Sequence, residues 1–470
     1  MTDNDRICRY RRKCGACQTL NLSYDEELSL KMRREIDLLG RFGHVEPIIP
    51  SEPSEHYRNK AQYLFRYRAG RVSAGLYRSS DGGIASVDSC LMEDERLTEL
   101  FLLIKKLAGK HGVKIYDGRR GDLRHVMIRK AVATGEVSVA LVTSRGMFEG
   151  ASGLADELTE KAPDVVCVSA VRNDTDIPLW MNGEEQILKG AGYITDRLCG
   201  CEFRIPPKAF YQINPYACER LYDIAAQYAR IGKNDSVLDA YCGIGTVGIT
   251  AAKGGCASLD GFDISADSVS AAETNAELNG IAEYEYRCVP DMRCGIDPMK
   301  RYSVVLVDPP RSGCDRRFTG TLLRLCPDRI VYISCGPQAL SRDLSLLKKQ
   351  YRVEKIQPVD MFPGTTHVET VCLLSKLSGA KNHISVKVEM DEMDLTAAES
   401  KATYQEIQDW VQEKYGFHVT HLNIAKTKRK CGIIERQNFN LPKSDDSRSP
   451  ETQKDKEEAI IEAFRHFQMI

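Results

Sequence analysis

The sequence predicts an α/β chain: a doubly wound parallel sheet, a β-rich α+β domain before it and a small helical extension after it. Three observations carry that expectation. From about residue 210, short apolar strands alternate with helical stretches: Ser236-Val-Leu-Asp239, Leu259-Asp-Gly-Phe-Asp263, Ser303-Val-Val-Leu-Val-Asp308 and Arg329-Ile-Val-Tyr-Ile-Ser334. This alternation marks a parallel sheet with crossover helices. Between 57 and 205, short apolar segments such as Val137-Ser-Val-Ala-Leu-Val-Thr143 and Val165-Val-Cys-Val-Ser-Ala-Val171 are separated by glycines and Asp/Asn turns. After Lys376 the core pattern fades, and residues 379–400 are acidic and loosely patterned. The expected divisions are 1–205, 206–378, a linker at 379–400, and a helical segment at 401–470.

The totals bound the class. At 470 residues the chain is long enough for two to four domains. Lys plus Arg number 65 against 66 Asp plus Glu, so any nucleic-acid contact must rest on local basic surface. No apolar run approaches a membrane span and the first residues are not those of a signal peptide, so a cytoplasmic protein is expected. Seventeen cysteines in such a chain read as reduced thiols or metal ligands rather than disulfides. Most, such as Cys167, Cys218 and Cys372, sit in apolar contexts and read as small core fillers.

In chain order, Cys8, Cys14 and Cys17 come first, within ten residues, with Gly15 easing the turn between the last two. Cys90, in Val87-Asp-Ser-Cys-Leu-Met92, is the nearest fourth by sequence. Closely spaced cysteines plus a distant one hold iron–sulfur clusters. Four-cysteine zinc sites use similar spacing, although usually as two Cys-x2-Cys pairs. Free thiols are the third reading, and spacing leaves all three open. Arg6, Arg9, Arg11, Arg12 and Lys13 crowd the cluster. Basic and aromatic residues interleave again over Tyr57–Arg68 and at Arg119, Arg120, Arg124, His125 and Arg129. A solvated face explains any one such run; three within 130 residues raise the expectation of RNA or DNA contact. Residues 25–42 have the length and charge pattern of an amphipathic helix.

Asp239-Ala-Tyr-Cys-Gly243-Ile-Gly245-Thr-Val-Gly248 follows a strand and opens a helix, so its glycines spell a nucleotide-cofactor loop. Asp263, closing the next strand, suits ribose hydroxyls. Glycines serving packing alone give such a turn too, and the loop by itself does not separate NAD from S-adenosylmethionine. Asp239, the rigid Asp308-Pro-Pro-Arg311 loop and a cysteine with no hydride-transfer partner favour the latter. That cysteine is Cys335, at the carboxyl end of a strand and before the Gly336-Pro337 turn. Gln357-Pro-Val-Asp-Met-Phe-Pro-Gly-Thr-Thr-His-Val-Glu369 supplies a carboxylate in a similar setting. Cys242 and Cys314 compete for the nucleophile role and read as packing or site wall. A thiol, a carboxylate base and a nucleotide-type cofactor suggest covalent catalysis on an electrophilic ring. In the tail, a helix is expected from about Thr403 with Gly416 as its C-cap, and another from about Glu457 to Phe467.

Together these residues resemble the S-adenosylmethionine-dependent RNA uracil-5-methyltransferases, most closely the iron–sulfur-containing 23S rRNA enzymes. The resemblance rests on the four cysteines, Tyr57-Arg-Asn-Lys-Ala-Gln62, Leu123-Arg-His-Val-Met-Ile-Arg129, Phe210-Tyr-Gln-Ile-Asn-Pro215, Leu238–Thr246, Asp308–Asp315, Ile333-Ser-Cys335 and Gln357–Glu369. It runs from about residue 6 to 376. It implies a Rossmann-like class I methyltransferase domain at 206–378 and a cluster-bearing, RNA-recognising domain at 1–205. Cys8, Cys14, Cys17 and Cys90 would hold a [4Fe-4S] cluster, and Gln212, Tyr241, Asp263 and Asp308 would contact S-adenosylmethionine. Cys335 would add to uracil C6 and Glu369 would remove the C5 proton, giving 5-methyluridine. The implied partner is RNA, rRNA foremost, with no membrane partner and a monomeric state. The alternatives are a tRNA uracil-5-methyltransferase, a non-catalytic iron–sulfur RNA-binding protein, and an NAD oxidoreductase that would leave Cys335 without a role.

The chain departs from the family at Gly336, where asparagine is common, at Gly364, where histidine is common, and at Leu91, often proline. The small β-barrel that opens many relatives is not expected from this sequence. RNA grip is therefore expected from the cluster domain or the tail, where Lys426-Thr-Lys-Arg-Lys-Cys431 reads as a solvated basic loop or a phosphate contact.

Overall fold

The computed structural model describes residues 8–68, 70–173, 181, 183–291, 296, 300–377, 404–431 and 454–466. Two units result, divided after Asn382.

The first unit opens with α1 (Arg11–Cys14) and α2 (Tyr24–Leu39). Ser23 and Glu26 close a capping box on α2, satisfying two amides at its start. Strands β1 (Lys60–Arg68), β2 (Arg71–Tyr77) and β3 (Ile84–Ala85) lead to α3 (Glu95–Lys110). There follow β4 (Leu123–Lys130), β5 (Val137–Thr143), α4 (Ala151–Lys161), β6 (Val165–Arg172) and β7 (Glu185–Lys189). These seven strands form one sheet in the order β3-β2-β1-β4-β5-β6-β7. Leu97, Leu100, Phe101, Ile104 and Leu107 recur at helical spacing on α3 and pack with Leu154 and Leu158 of α4 against Phe65, Val126 and Val139. Helices on one face and mostly antiparallel strands match the α+β expectation for this segment.

A two-stranded ribbon of β8 (Ile194–Leu198) and β9 (Cys201–Ile205) precedes α5 (Pro215–Ala229). The doubly wound part comprises β10 (Ser236–Ala240), α6 (Thr246–Ala252), β11 (Ser258–Asp263), α7 (Ala266–Leu278) and β12 (Tyr284–Cys288). It continues with β13 (Val304–Val307), α8 (Arg316–Leu325), β14 (Arg329–Ser334), α9 (Pro337–Leu347), β15 (Tyr351–Val359) and β16 (Glu369–Lys376). The sheet order is β12-β11-β10-β13-β14-β16-β15, with the first five parallel and the last two antiparallel. Val304 to Val307 are buried throughout, as a strand covered on both faces requires.

Helix α2 packs on this second sheet, beside β15 and α9, and the chain after it bridges from Val45 to Ile356 and from Ile49 to Val359. Its buried stripe is not the apolar one an amphipathic helix would show: Glu27, Lys31, Glu35 and Leu39 are the buried residues.

The second unit contains α10 (Tyr404–Tyr415), α11 (His421–Lys430) and α12 (Lys454–His466). Ile407, Val411, Ile424, Ile460 and Phe464 form its core. Gly416 closes α10 in the left-handed region, with its amide 3.0 Å from the Gln412 carbonyl. The Lys426–Cys431 stretch is helical rather than a loop: it continues α11, where Thr427 and Lys428 are buried and Lys430 pairs with Glu457. The expected linker lies outside the described residues, and no helix among those described is long and apolar enough to cross a membrane.

Candidate active site

The register of the second sheet sets the site. Ala240 pairs with Phe262 on one side and Val307 on the other, and Val307 pairs with Tyr332. Strands β10, β11, β13 and β14 therefore end close to level. Tyr241, Asp263, Asp308 and Cys335 share their carboxyl edge, where open α/β sheets take ligands. Strand β16 runs the other way, with Thr370 opposite Ser334. Just beyond that pair, Cys335 follows the end of β14 and Glu369 opens β16, and the two are within electrostatic reach of each other.

Burial is the largest influence on the charge states here. Asp308 is pushed up to about 7 by burial alone. Glu369 lies well above the usual carboxylate range because it is buried, and then because Asp308 and Glu35 face it. The Cys335 thiol is raised to about 12 by burial, then by Glu369 and Asp308, with Arg311 acting in the opposite direction. Cys335 therefore rests as the thiol, and its chemistry needs a proton to leave. It lies just before α9, and a helix N-terminus together with Arg311 favours the thiolate once that happens.

Beside the pair lies the glycine loop. Tyr241 takes a positive φ of 64° at the strand end, and Gly245 one of 83° at the start of α6. The Asp239 carboxylate accepts the Gly248 amide at 2.9 Å, while its other oxygen is buried without a partner. Burial raises its pKa to about 8. Asp263 accepts the Gly243 and Ser265 amides at 3.1 and 2.9 Å, so the two loops meet on one carboxylate. The Tyr241 ring turns toward α8, edge-on to Phe318 at 5.3 Å. Gln212 is buried on the segment before α5, its carbonyl accepting from the Asn59 amide group at 3.2 Å. Asn214 fixes that segment, capping α5 through the Ala217 amide and donating to Ser51 Oγ and the Met361 carbonyl. Helix α5 then brings Cys218 within electrostatic reach of Asp308 and Glu369.

Residues 293–377, which include Asp308, Cys335 and Glu369, match the family model described as tRNA (Uracil-5-)-methyltransferase. Residues 222–301 match a second, ribosomal protein L11 methyltransferase. A protein of Oceanobacillus iheyensis named uncharacterized RNA methyltransferase is 36% identical over 382 residues, covering 78% of this chain and 82% of its own length. A Bacillus cereus protein of the same name is 34% identical, covering 79% and 83%. Among solved structures, the Pyrococcus abyssi tRNA (uracil-54, C5)-methyltransferase in complex with S-adenosyl-L-homocysteine superposes with a TM-score of 0.64 at 28% identity. That match covers 77% of this chain and 86% of the other.

The chain belongs to the RNA (uracil-5-)-methyltransferase family. It is an RNA methyltransferase. Two of its departures from the family pattern have local causes. A Cβ on Gly336 would stand 2.8 Å from the Arg311 carbonyl oxygen. Gly364, with φ at +81°, would set a Cβ 2.9 Å from the Met92 sulfur, so no larger residue fits either turn without movement.

The amino-terminal cysteines of this methyltransferase gather at one corner. Cys8, Cys17 and Cys90 pack on Leu20, Tyr57 and Met92, and Cys14 is buried beside Ala85 and Val87. Cys17 feels both Cys14 and Cys8, and Cys90 feels Cys17. Burial lifts Cys17 to about 11 and Cys90 to about 12, against the pull of Arg58 on Cys17. Four thiols linked in this way, Cys90 to the others through Cys17, have the donor chemistry of a tetrathiolate site. Among the described residues, however, no group of three or more such side chains stands in metal-holding geometry.

Sequence reasoning passed over the supports of Glu369. Lys31 is buried between Glu27 at 2.6 Å and Asp360 at 2.7 Å, and also donates to the Phe362 carbonyl. Glu27 accepts the Gly364 amide and Tyr24 donates to Asp360. This lattice moors the 360–367 turn that leads into Glu369. Glu35 accepts from the Thr370 hydroxyl at 2.9 Å, and burial raises it to about 7. Arg311 and His367 lie 3.0 Å apart beside Cys335. The available signal was charge every fourth residue in a predicted helix, Glu27, Lys31 and Glu35.

Proposed function

We propose that this chain methylates uracil C5 in 23S rRNA, through a covalent adduct of Cys335. The observation that carries the reading is the β14–β16 register, which sets Cys335 beside Glu369 at the edge shared with Asp308. Bound S-adenosylmethionine supplies the methyl group, held by Gln212, Tyr241, Asp263 and Asp308. The unpartnered oxygen of Asp239 and the Asp263 bridge between the two loops fit a polar ligand there. Once the half-buried Cys335 thiol has passed its proton to solvent, its sulfur bonds to uracil C6 while the C5–C6 π pair shifts onto C5 and the O4 carbonyl, which makes C5 nucleophilic. After methylation Glu369, acting as the carboxylate and with the raised proton affinity that burial gives it, takes the C5 proton, and breaking the C6–sulfur bond restores the ring and releases the thiolate.

Residues 206–378 carry this chemistry, and residues 1–205 recognise RNA and hold a [4Fe-4S] cluster on Cys8, Cys14, Cys17 and Cys90. That cluster braces the corner next to the Glu369 turn, since Tyr57 donates to the Pro363 carbonyl at 2.8 Å and the Thr19 amide to Gly364. The protein acts as a cytoplasmic monomer. Likeness to the Pyrococcus abyssi enzyme favours a second reading, in which tRNA is the substrate.

The test is tritium release from C5-labelled, unmodified rRNA and tRNA with S-adenosylmethionine, comparing wild type with Cys335→Ala. Release from rRNA by wild type alone supports the reading, and release from tRNA alone moves the target. Release by Cys335→Ala at the wild-type rate removes the covalent mechanism.

A further inference from the structure

Strand β1 meets the Gln212 segment at its start, where the Asn59 amide donates to the Ile213 carbonyl at 2.9 Å. From there it runs nine residues, roughly 27 Å at the rise of a strand, to a rim where cations collect. Arg66 and Arg68 end β1, Arg71 opens β2, and Arg119 and Arg120 stand on the turn that leads into β4. The Tyr67 amide ties that turn to the strand through the Tyr116 carbonyl, at 3.0 Å. All five arginines are exposed, and none forms a side-chain ion pair among the described residues.

Two details separate this rim from an ordinary solvated face. Arg68 and Arg71 are directly opposite in the β1–β2 register, a like-charge pairing that costs a hairpin stability. Asp117, the acid between them and the turn, spends one oxygen on the Arg119 and Arg120 amides, at 2.8 and 2.7 Å, which shapes the turn around two guanidinium groups. Between strand and turn lies a groove of about 420 Å³ lined by Tyr67, Arg68, Asp117, Gly118 and Arg119, into which Tyr67 is 44% exposed. Asp117 lies within electrostatic reach of Arg120 but closes no ion pair with it, and arginines left unpaired beside an open aromatic face are the chemistry that grips unpaired nucleotides: guanidinium on phosphate, ring on base.

We infer that this rim is a second RNA-contacting site, which holds a single-stranded segment of the substrate well away from the uracil being methylated. The inference rests on the RNA methyltransferase reading and adds a docking surface to it. A single nucleotide cannot span the length of β1, so the rim acts only on a polymer.

The experiment uses full-length protein carrying Tyr67→Ala, Arg68→Ala and Arg119→Ala together. Probes are a labelled single-stranded 20-nucleotide RNA containing uridines and a duplex of the same length. Single-strand affinity should fall by about tenfold or more. Its dependence of log K on log salt should become shallower by about 0.7 for each lost phosphate contact. S-adenosylhomocysteine affinity and melting temperature should hold, and Tyr67→Phe alone should bind as wild type does. Single-strand affinity within about twofold of wild type, or an equal loss on the duplex, overturns the assignment. Because the readout is binding, a failure of the Cys335 mechanism, seen as turnover by Cys335→Ala, is recorded separately.

Discussion

At the carboxyl edge of the second sheet, Asp239, Asp308, Glu369 and the neighbouring Glu35 are buried carboxyl groups, all held above the usual carboxylate range. At the rim of the first sheet five arginines stand exposed, without ion-pair partners among the described residues. Burial raises the proton affinity of the first set and makes Glu369 respond to Asp308 and Glu35, which suits groups that take up protons. Exposure leaves the second set screened and weak singly, which suits attraction of a polyanion by several together. The same kind of physics, charge in or out of water, separates the proposed reaction site from the proposed docking rim.

That contrast can be broken at its strongest point first. Glu369→Gln keeps the volume and removes the base, so kcat for methyl transfer should fall by about 10²–10⁴-fold. A Cys335–RNA adduct stable to denaturation should accumulate on gels. A fall of less than about tenfold would take the base role from Glu369. Next in size is Lys31→Met, which leaves Glu27 and Asp360 buried without their cation. Removing one member of a buried ion pair costs about 3–5 kcal/mol, read by urea unfolding. A cost below about 1 kcal/mol would mean that the lattice is not what moors the 360–367 turn.

The smallest effect is a pH slope. Folded-state values of about 7 for Glu35 and Asp308 and about 8 for Asp239 lie above those of an unfolded carboxylate. At these three groups the folded chain therefore binds more protons than the unfolded chain between roughly pH 4.5 and 8, and the stability they contribute falls as pH rises through that window, against the opposite contribution of the lowered His125 and His367. Melting temperature should drop from pH 5 to pH 8, and Glu35→Gln should flatten part of the drop. A melting temperature that rises over this range would contradict the burial of these acids.

Much of the second sheet was legible because four of its five parallel strands are short apolar runs that end at a candidate site residue: Asp239 and Asp263 close to the glycine loop, Asp308 before two prolines, Cys335 before Gly-Pro. Local chemistry dictates those turns. The tail helices were legible too, from apolar spacing and Gly416. The Lys426–Cys431 stretch was misread as a loop because its charge outweighs the small buried stripe around Thr427 and Ile424 that holds α11 in the core of the second unit.

The sequence by itself determined which residue types could do the chemistry and on which strand ends they stand, since strand, turn and glycine signals act within a few residues. Tertiary structure alone decided that Cys335 and Glu369 come within electrostatic reach, because that depends on an antiparallel pairing between β14 and β16, which lie 35 residues apart from Ser334 to Glu369. It alone decided that a helix near the amino terminus buries Glu27, Lys31 and Glu35 against that site. Long-range pairing and burial set both, and neither leaves a mark in the local pattern: a charged residue in a helix reads as solvent-facing until the partner that takes it out of water is known.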